Sequence, residues 1–318
     1  MPAKPNRSRF FPVEDFDLDG TLDSGQAFRW KKTARGWEGV IGRRWVCLNA
    51  VKGGLQAETA RPNAHWAWLA EYLQIEAGGG RRLGSLGYRE RMGRFPKDRA
   101  LQGAVKACPG LRLLRQEPWE CLASFILSST KQIVQIRQIV DTLCERYGEP
   151  VPVPTGVEPW NAFPTARSLA KRTEGQLRSC KAGFRAPYLL RSAQLVAAGK
   201  PDLGRLSSRP LEEAREALMA LPGVGRKIAD CALLFSLGFR QVFPVDTWIL
   251  RALRGLYFPG RNPSPDELRR FADSHFGPEA GFAQQFLFHA IRTGRLEAGV
   301  PKTTRRSGKP KGIQETRE

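Results

Sequence analysis

Residues 221–248 read LPGVGRKIADCALLFSLGFRQVFPVDTW, and this stretch decides how the rest of the chain is read. Residues 211–220 have helical spacing, Leu221-Pro222-Gly223-Val224-Gly225 forms a tight connection, residues 226–237 resume the helix, and Phe243-Pro244-Val245-Asp246 opens a third. Two glycines around one valine let the backbone turn sharply and present its N–H groups at a helix N-terminus, which is the geometry of a phosphate-binding nest. A plain pair of helices joined by a glycine turn is the alternative that spacing leaves open.

Two side chains in this stretch carry chemistry. Lys227 falls in the first turn of the second helix, where the positive end of the macrodipole disfavours an ammonium. The neutral amine is a nucleophile for an electrophilic sugar or carbonyl carbon, whereas a solvated lysine charge is the plain alternative. Asp246 precedes Thr247-Trp248-Ile249-Leu250 and is a predicted N-cap, a position that keeps a carboxylate ionised. Capping alone would also account for it.

Outward from this stretch, the chain of 318 residues is long enough for two domains, each with its own core. Its 41% hydrophobic and 26% charged residues argue against a disordered, collagenous or membrane-spanning chain. The charge is unusual: 51 basic against 31 acidic residues give +20, so nucleic acid or an acidic membrane surface is the expected class of partner. No run approaches the roughly 18 apolar residues of a spanning helix, and the basic start lacks the apolar segment of a secretory signal. The six cysteines (Cys47, Cys108, Cys121, Cys144, Cys180, Cys231) never reach CxxC spacing and read as reduced core residues of a cytosolic protein. The three histidines (His65, His275, His289) stand at no ligand spacing, so neither a metal nor another cofactor is expected.

The N-terminal third suggests an antiparallel sheet, with strands at 28–30, 37–41 and 45–51, a turn at Gly42 and a further strand at 109–114. Residues 65–73 have helical spacing, and Gly78-Gly79-Gly80 marks a loop. Beyond Pro118 the pattern is helical, with Cys121, Leu122, Phe125 and Ile126 on one face and Ile133, Ile136, Ile139, Val140 and Leu143 on another. A proline-rich connection covers 150–164, and Ser264-Pro265-Asp266-Glu267 is a capping box. The expected organisation is a flexible N-terminus (1–9), an α+β domain (10–117), a mostly α-helical domain (118–297) and a basic flexible tail (298–318). After Val300 the chain holds six basic and two acidic residues, a composition that adds non-specific affinity for a polyanion.

The 221–248 run, with Lys227 after the hairpin and Asp246 nineteen residues on, resembles the helix-hairpin-helix and following aspartate of the DNA glycosylase superfamily. The run Asp23-Ser24-Gly25-Gln26-Ala27-Phe28-Arg29-Trp30 is similar to the N-terminal domain of 8-oxoguanine DNA glycosylases, and residues 110–118 with Cys121 and Ser128-Ser129 continue it. The resemblance spans about 16–291, most of the chain. It implies a bifunctional glycosylase and AP lyase that excises 8-oxoguanine from duplex DNA in base excision repair, with Lys227 as nucleophile and Asp246 beside it. It also implies that the Gly25 carbonyl faces the N7 hydrogen of the lesion, that Cys231 and Phe288 sandwich the flipped base, and that Gln284 reads its Watson–Crick edge. Taken singly, these could equally be a core cysteine, a core phenylalanine and a surface amide.

Damaged double-stranded DNA is thus the expected partner, with the amides of Gly223 and Gly225 on a backbone phosphate and Arg185 and Thr130 toward the opposite strand. Departures from the eukaryotic pattern occur at Thr130, Lys131 and Gln132, which replace asparagines, at Gln135, which replaces an arginine, and at Trp248, which replaces a histidine. They imply a bacterial-type member and leave the opposite-base preference open. The expected protein is a monomer acting in the cytoplasm, at the nucleoid, with no membrane association. The alternatives are an alkylated-purine glycosylase, which generally lacks the lysine, and a non-catalytic hairpin module.

Overall fold

The computed structural model describes residues 6–75 and 87–297. The expected glycine loop at 78–80 and the basic tail therefore lie outside the described residues. The N-terminal part is built on β1 (Asn6–Pro12), β2 (Lys31–Thr33), β3 (Gly36–Ile41), β4 (Arg44–Val51) and β5 (Gly54–Asn63), a wholly antiparallel sheet in the order β1-β5-β4-β3-β2. Hairpins with two residues between paired positions join its neighbours: Ile41 pairs with Arg44 across Gly42, and Val51 with Gly54 across Gly53. Both turn glycines have positive φ, +59° at Gly42 and +78° at Gly53, as tight hairpins of this hand require. One face of the sheet buries Phe11, Val46, Leu48, Leu55 and Ala57 against α1 (Leu18–Asp23) and α2 (Ala67–Leu73).

The helical part comprises α3 (Tyr88–Met92), α4 (Arg99–Ala107), α5 (Pro118–Leu127), α6 (Ile133–Tyr147), α7 (Ala166–Ala170), α8 (Glu174–Leu177), α9 (Ala186–Ala197), α10 (Leu211–Met219), α11 (Arg226–Ala232), α12 (Thr247–Tyr257), α13 (Pro265–His275) and α14 (Ala280–Arg292). A π-helical turn, Leu233–Leu237, extends α11 to the end expected from sequence. In the 150–164 connection, a small hairpin pairs β6 (Pro150–Val151) with β7 (Trp160–Asn161). The start of α5 is written locally: Pro118 occupies the first turn, and the Glu117 carboxylate accepts from the Trp119 and Glu120 N–H groups at 3.1 and 2.6 Å. The expected capping box at Ser264 is present on α13.

Three strand expectations are corrected. Residues 28–30 are not a strand; they pass between the two cores, with Phe28 in the helical core and Trp30 in the sheet core, and pairing begins only at Lys31. Residues 109–114 are also not a strand, because a side chain takes the place of a neighbouring strand. Gln26, fully buried, donates to the Arg112 carbonyl at 2.9 Å and accepts from the Leu114 N–H at 2.8 Å. Finally, Asn6 to Arg9 belong to β1 rather than to a flexible extension, so β1 and β5 complete a sheet of which only the centre was expected.

Candidate active site

The hairpin is held from beneath. Arg215 on α10 and Asp230 on α11, both buried, form an ion pair at 2.8 Å that locks the two helices. Within the turn, Gly223 adopts φ +76°, and a Cβ there would lie 2.7 Å from the Cβ of Tyr188 on α9. The expected tight glycine connection is therefore required twice, by its backbone hand and by close packing. Gly225 is the N-cap of α11, has no side chain to cap the helix, and would have open space around a Cβ.

In the first turn of α11, the Nζ of Lys227 donates to Ser128 Oγ at 3.3 Å and sits 5.0 Å from the centre of the Phe125 ring. Asp246 is the N-cap of α12, as expected, with its Oδ1 accepting from the Ile249 N–H at 2.8 Å. Burial nevertheless raises its pKa above the usual carboxylate value, against the lowering effects of the Ile249 N–H and the Lys227 charge. The cap expectation considered only the favourable dipole, whereas the fold adds desolvation. Burial also pushes the Cys231 thiol up to about 12, so this cysteine is an uncharged part of the lining.

These groups open onto one pocket of about 860 Å³, lined by Gly25, Ser128, Lys227, Cys231, Asp246 and Gln284 among others, with Phe288 and Trp248 also at its rim or wall. Gly25 has φ +79°, and a Cβ there would lie 3.5 Å from Phe288 Cε1 and 2.7 Å from Ile133 Cδ1. The lining beside Phe288 is therefore bare backbone at Gly25. Phe125 lies edge-on to Phe28 and stacks on Phe235, all three lining the pocket. Gln284, expected as base reader, is 4% exposed, and its Oε1 has no partner among the described residues. A buried amide oxygen without a hydrogen bond costs roughly 1–3 kcal/mol, so it is placed to meet a donor that enters the pocket.

The structure thus brings together Gly25, Lys227, Cys231, Asp246, Gln284 and Phe288, and Gly225 and Thr130 also line the pocket. Gly223 and Arg185 do not line it. Arg185 is buried, with its guanidinium donating to the Ser129 carbonyl and, at 2.7 Å, to Thr130 Oγ1, while stacking on the exposed Phe184. Sequence reasoning assigned no role to Phe125, Gln285 or Arg292, which also line the pocket. The last two were accessible in principle, since positions 285, 288 and 292 share the helix face that carries Phe288.

A helical hairpin leading to a lysine, an aspartate capping the next helix and a sheet domain in front together define the class of base-excision DNA-repair glycosylases. Residues 9–122 match the family described as 8-oxoguanine DNA glycosylase, N-terminal domain, and residues 123–278 match the HhH-GPD superfamily base excision DNA repair protein. The N-glycosylase/DNA lyase OGG1 of Arabidopsis thaliana is 33% identical over 89% of this chain and 80% of its own, and a probable N-glycosylase/DNA lyase of Methanothermobacter thermautotrophicus is 29% identical over 90% and 97%. A Clostridium acetobutylicum 8-oxoguanine glycosylase/lyase, solved with double-stranded DNA containing cytosine opposite 8-oxoG, superimposes with a TM-score of 0.80 at 30% identity, over 92% of this chain and 100% of its own. The chain belongs to the 8-oxoguanine DNA glycosylase family of the helix-hairpin-helix superfamily.

Proposed function

We propose that this protein is a bifunctional DNA glycosylase and AP lyase that excises 8-oxoguanine from duplex DNA and nicks the strand by β-elimination. The observation that carries this reading is one pocket lined by an amine, a buried carboxylate, an unpartnered amide oxygen and the bare backbone of Gly25. Phosphate contacts at Gly223 and Gly225 hold the duplex without sequence preference, and the target nucleotide flips out at a cost of a few kcal/mol that stacking between Cys231 and Phe288 offsets. The Gly25 carbonyl accepts from the N7–H of 8-oxoguanine, and normal guanine, with a lone pair there, is rejected by two opposed acceptors. Gln284 reads the Watson–Crick edge of the base.

The lone pair of Lys227 Nζ attacks C1′ as the C1′–N9 bond breaks, and the bonding electrons leave with the base. The Asp246 carboxylate stabilises positive charge developing on the sugar. Loss of a proton from nitrogen and opening of the sugar leave an imine. Removal of the C2′ proton, assisted by the excised base, expels the 3′ phosphate, and hydrolysis of the imine returns Lys227 as an amine. Arg185 and Thr130 face the opposite strand in this reading, and Arg185 must leave the Ser129 carbonyl to reach it. The protein works as a monomer in the cytoplasm, at the nucleoid; among the described residues no helix is long and apolar enough to cross a membrane.

The test is borohydride trapping on a labelled duplex with one 8-oxoguanine opposite cytosine, alongside an undamaged duplex. A lesion-dependent covalent complex is expected. Base release without a trapped complex would remove Lys227 from the nucleophile's role, and the absence of both would leave a hairpin module that only binds DNA.

A further inference from the structure

The turn at residues 23–25, which closes α1 and supplies bare backbone to the pocket, is tied to the helical part by side chains. Gln285 on α14 donates through Nε2 to the Ser24 carbonyl at 3.2 Å, and Arg137 on α6 donates to the Asp23 carboxylate at 2.7 Å. The third tie is Arg292, at the end of α14, whose Nη2 donates to the Asp23 carbonyl at 2.8 Å. The same guanidinium lies 5.9 Å from the centre of the Phe288 ring. Arg292 itself lines the pocket.

One side chain therefore bonds the turn that carries Gly25 and lies over the ring that adjoins it. Resting on the reading of this cavity as the site of the flipped base, we propose that Arg292 is a positioning residue that sets the spacing between the Gly25 turn and the adjoining Phe288 ring, and so where each meets the base. The chemistry suits arginine and not lysine. A planar guanidinium can donate in its plane while presenting its face to an aromatic ring, whereas an ammonium is a single compact charge on a flexible stem. The Nε–H of Arg292 is buried and has no partner among the described residues, so the side chain is held here at a cost in desolvation. Burial also lowers its pKa, with the Asp23 carboxylate opposing that shift.

The spacing matters because discrimination rests on one hydrogen bond. A Cβ at Gly25 would lie 3.5 Å from Phe288 Cε1, so the turn and the ring are already within van der Waals reach and a shift of one bears on the other. A displacement of about 1 Å at a reacting site costs on the order of a hundredfold in rate. Arg292 acts only when a base is present, whereas attack of Lys227 on a preformed abasic site uses neither wall.

The experiment compares Arg292→Met, which keeps an unbranched apolar stem without the donors, and Arg292→Lys, which restores one donor. Two single-turnover readouts are taken: release of 8-oxoguanine from a duplex, and borohydride trapping on a duplex with a preformed abasic site. Arg292→Met is expected to slow base release about tenfold to a hundredfold, with abasic-site trapping close to wild type and partial rescue in Arg292→Lys. Equal losses in both readouts would mean that Arg292 supports Lys227 or the fold as a whole, and unchanged base release would mean that it does not set the walls; either overturns the proposal. Failure of the wild-type protein on both substrates would instead sink the functional reading beneath it, before any variant is made.

Discussion

Lys227 Nζ lies 3.3 Å from Ser128 Oγ, a contact that joins residues 99 apart in the chain. The hydroxyl proton of Ser128 is directed to the Phe125 carbonyl at 2.7 Å, so its oxygen faces the amine as an acceptor. The Lys227 amine is thus oriented by a serine whose own rotamer is set by the last turn of α5.

Lys227→Gln should abolish trapping and base release while leaving duplex affinity nearly unchanged. Ser128→Ala should keep the covalent chemistry but slow it about tenfold, the equivalent of one ordinary hydrogen bond. Single-turnover trapping checks both, and an adduct still formed by Lys227→Gln would assign the nucleophile elsewhere.

Asp246→Asn should cut base release by about a hundredfold or more through loss of the anion, yet change stability by no more than about 1 kcal/mol because asparagine is also a good N-cap. In the proposed mechanism the acting form is the carboxylate, and burial raises its pKa, so wild-type activity should fall as pH drops through a range above the ordinary carboxylate value. The sign for folding is the reverse of the salt-bridge case: burial of this anion opposes folding once pH exceeds the unfolded value. A pH–rate profile and a thermal melt separate the roles, and loss of activity explained wholly by unfolding would leave capping alone.

Gly223→Ala should be strained twice, by φ +76° and by a Cβ 2.7 Å from Tyr188 Cβ. Destabilisation of about 1–3 kcal/mol is expected, along with weaker duplex binding and a trapping rate at saturating DNA close to wild type. Titration at several salt concentrations tests this, since an intact affinity and salt slope would take the phosphate contact away from the turn.

His289 gives the stability its expected pH dependence. Burial first, then the charges of Arg292 and Arg295, push it down to about 4 against the opposing pull of Asp17 and Asp23. The unfolded chain binds the proton more readily, so this contribution is complete above about pH 6.5 and is lost as pH falls toward 4, with a total on the order of 3 kcal/mol. Urea melts at pH 4.5 and 7.5 should show a smaller difference for His289→Leu than for wild type, and an equal difference would assign the acid sensitivity to other groups.

Much of this molecule is written in short-range terms. The 221–225 turn, the cap at Asp246, the box at Ser264, the start of α5 at Pro118 and the central strands β3 and β4 each depend on residues within one turn or one hairpin of each other. Backbone hand, capping geometry and hydrophobic period decide such features before any tertiary contact forms. Errors arose where a distant partner substituted for a local one. Residues 109–114 look like a strand because they are extended and apolar, but Gln26 takes up their hydrogen bonds. Residues 28–30 alternate as a strand should, but Phe28 and Trp30, which would share one face of a strand, enter different cores.

By itself, the sequence determined the hairpin, the identity of the lysine and aspartate, the sheet-then-helices order and the basic charge, because each is a property of composition or of neighbours along the chain. Only the tertiary structure decided that Ser128 meets Lys227, that Arg185 is folded onto Ser129 and Thr130, that burial works against the Asp246 carboxylate, and that Arg292 reaches back to Asp23 across 269 residues. These depend on how buried surfaces pack and on how far water is excluded from each charge, quantities that no local pattern encodes.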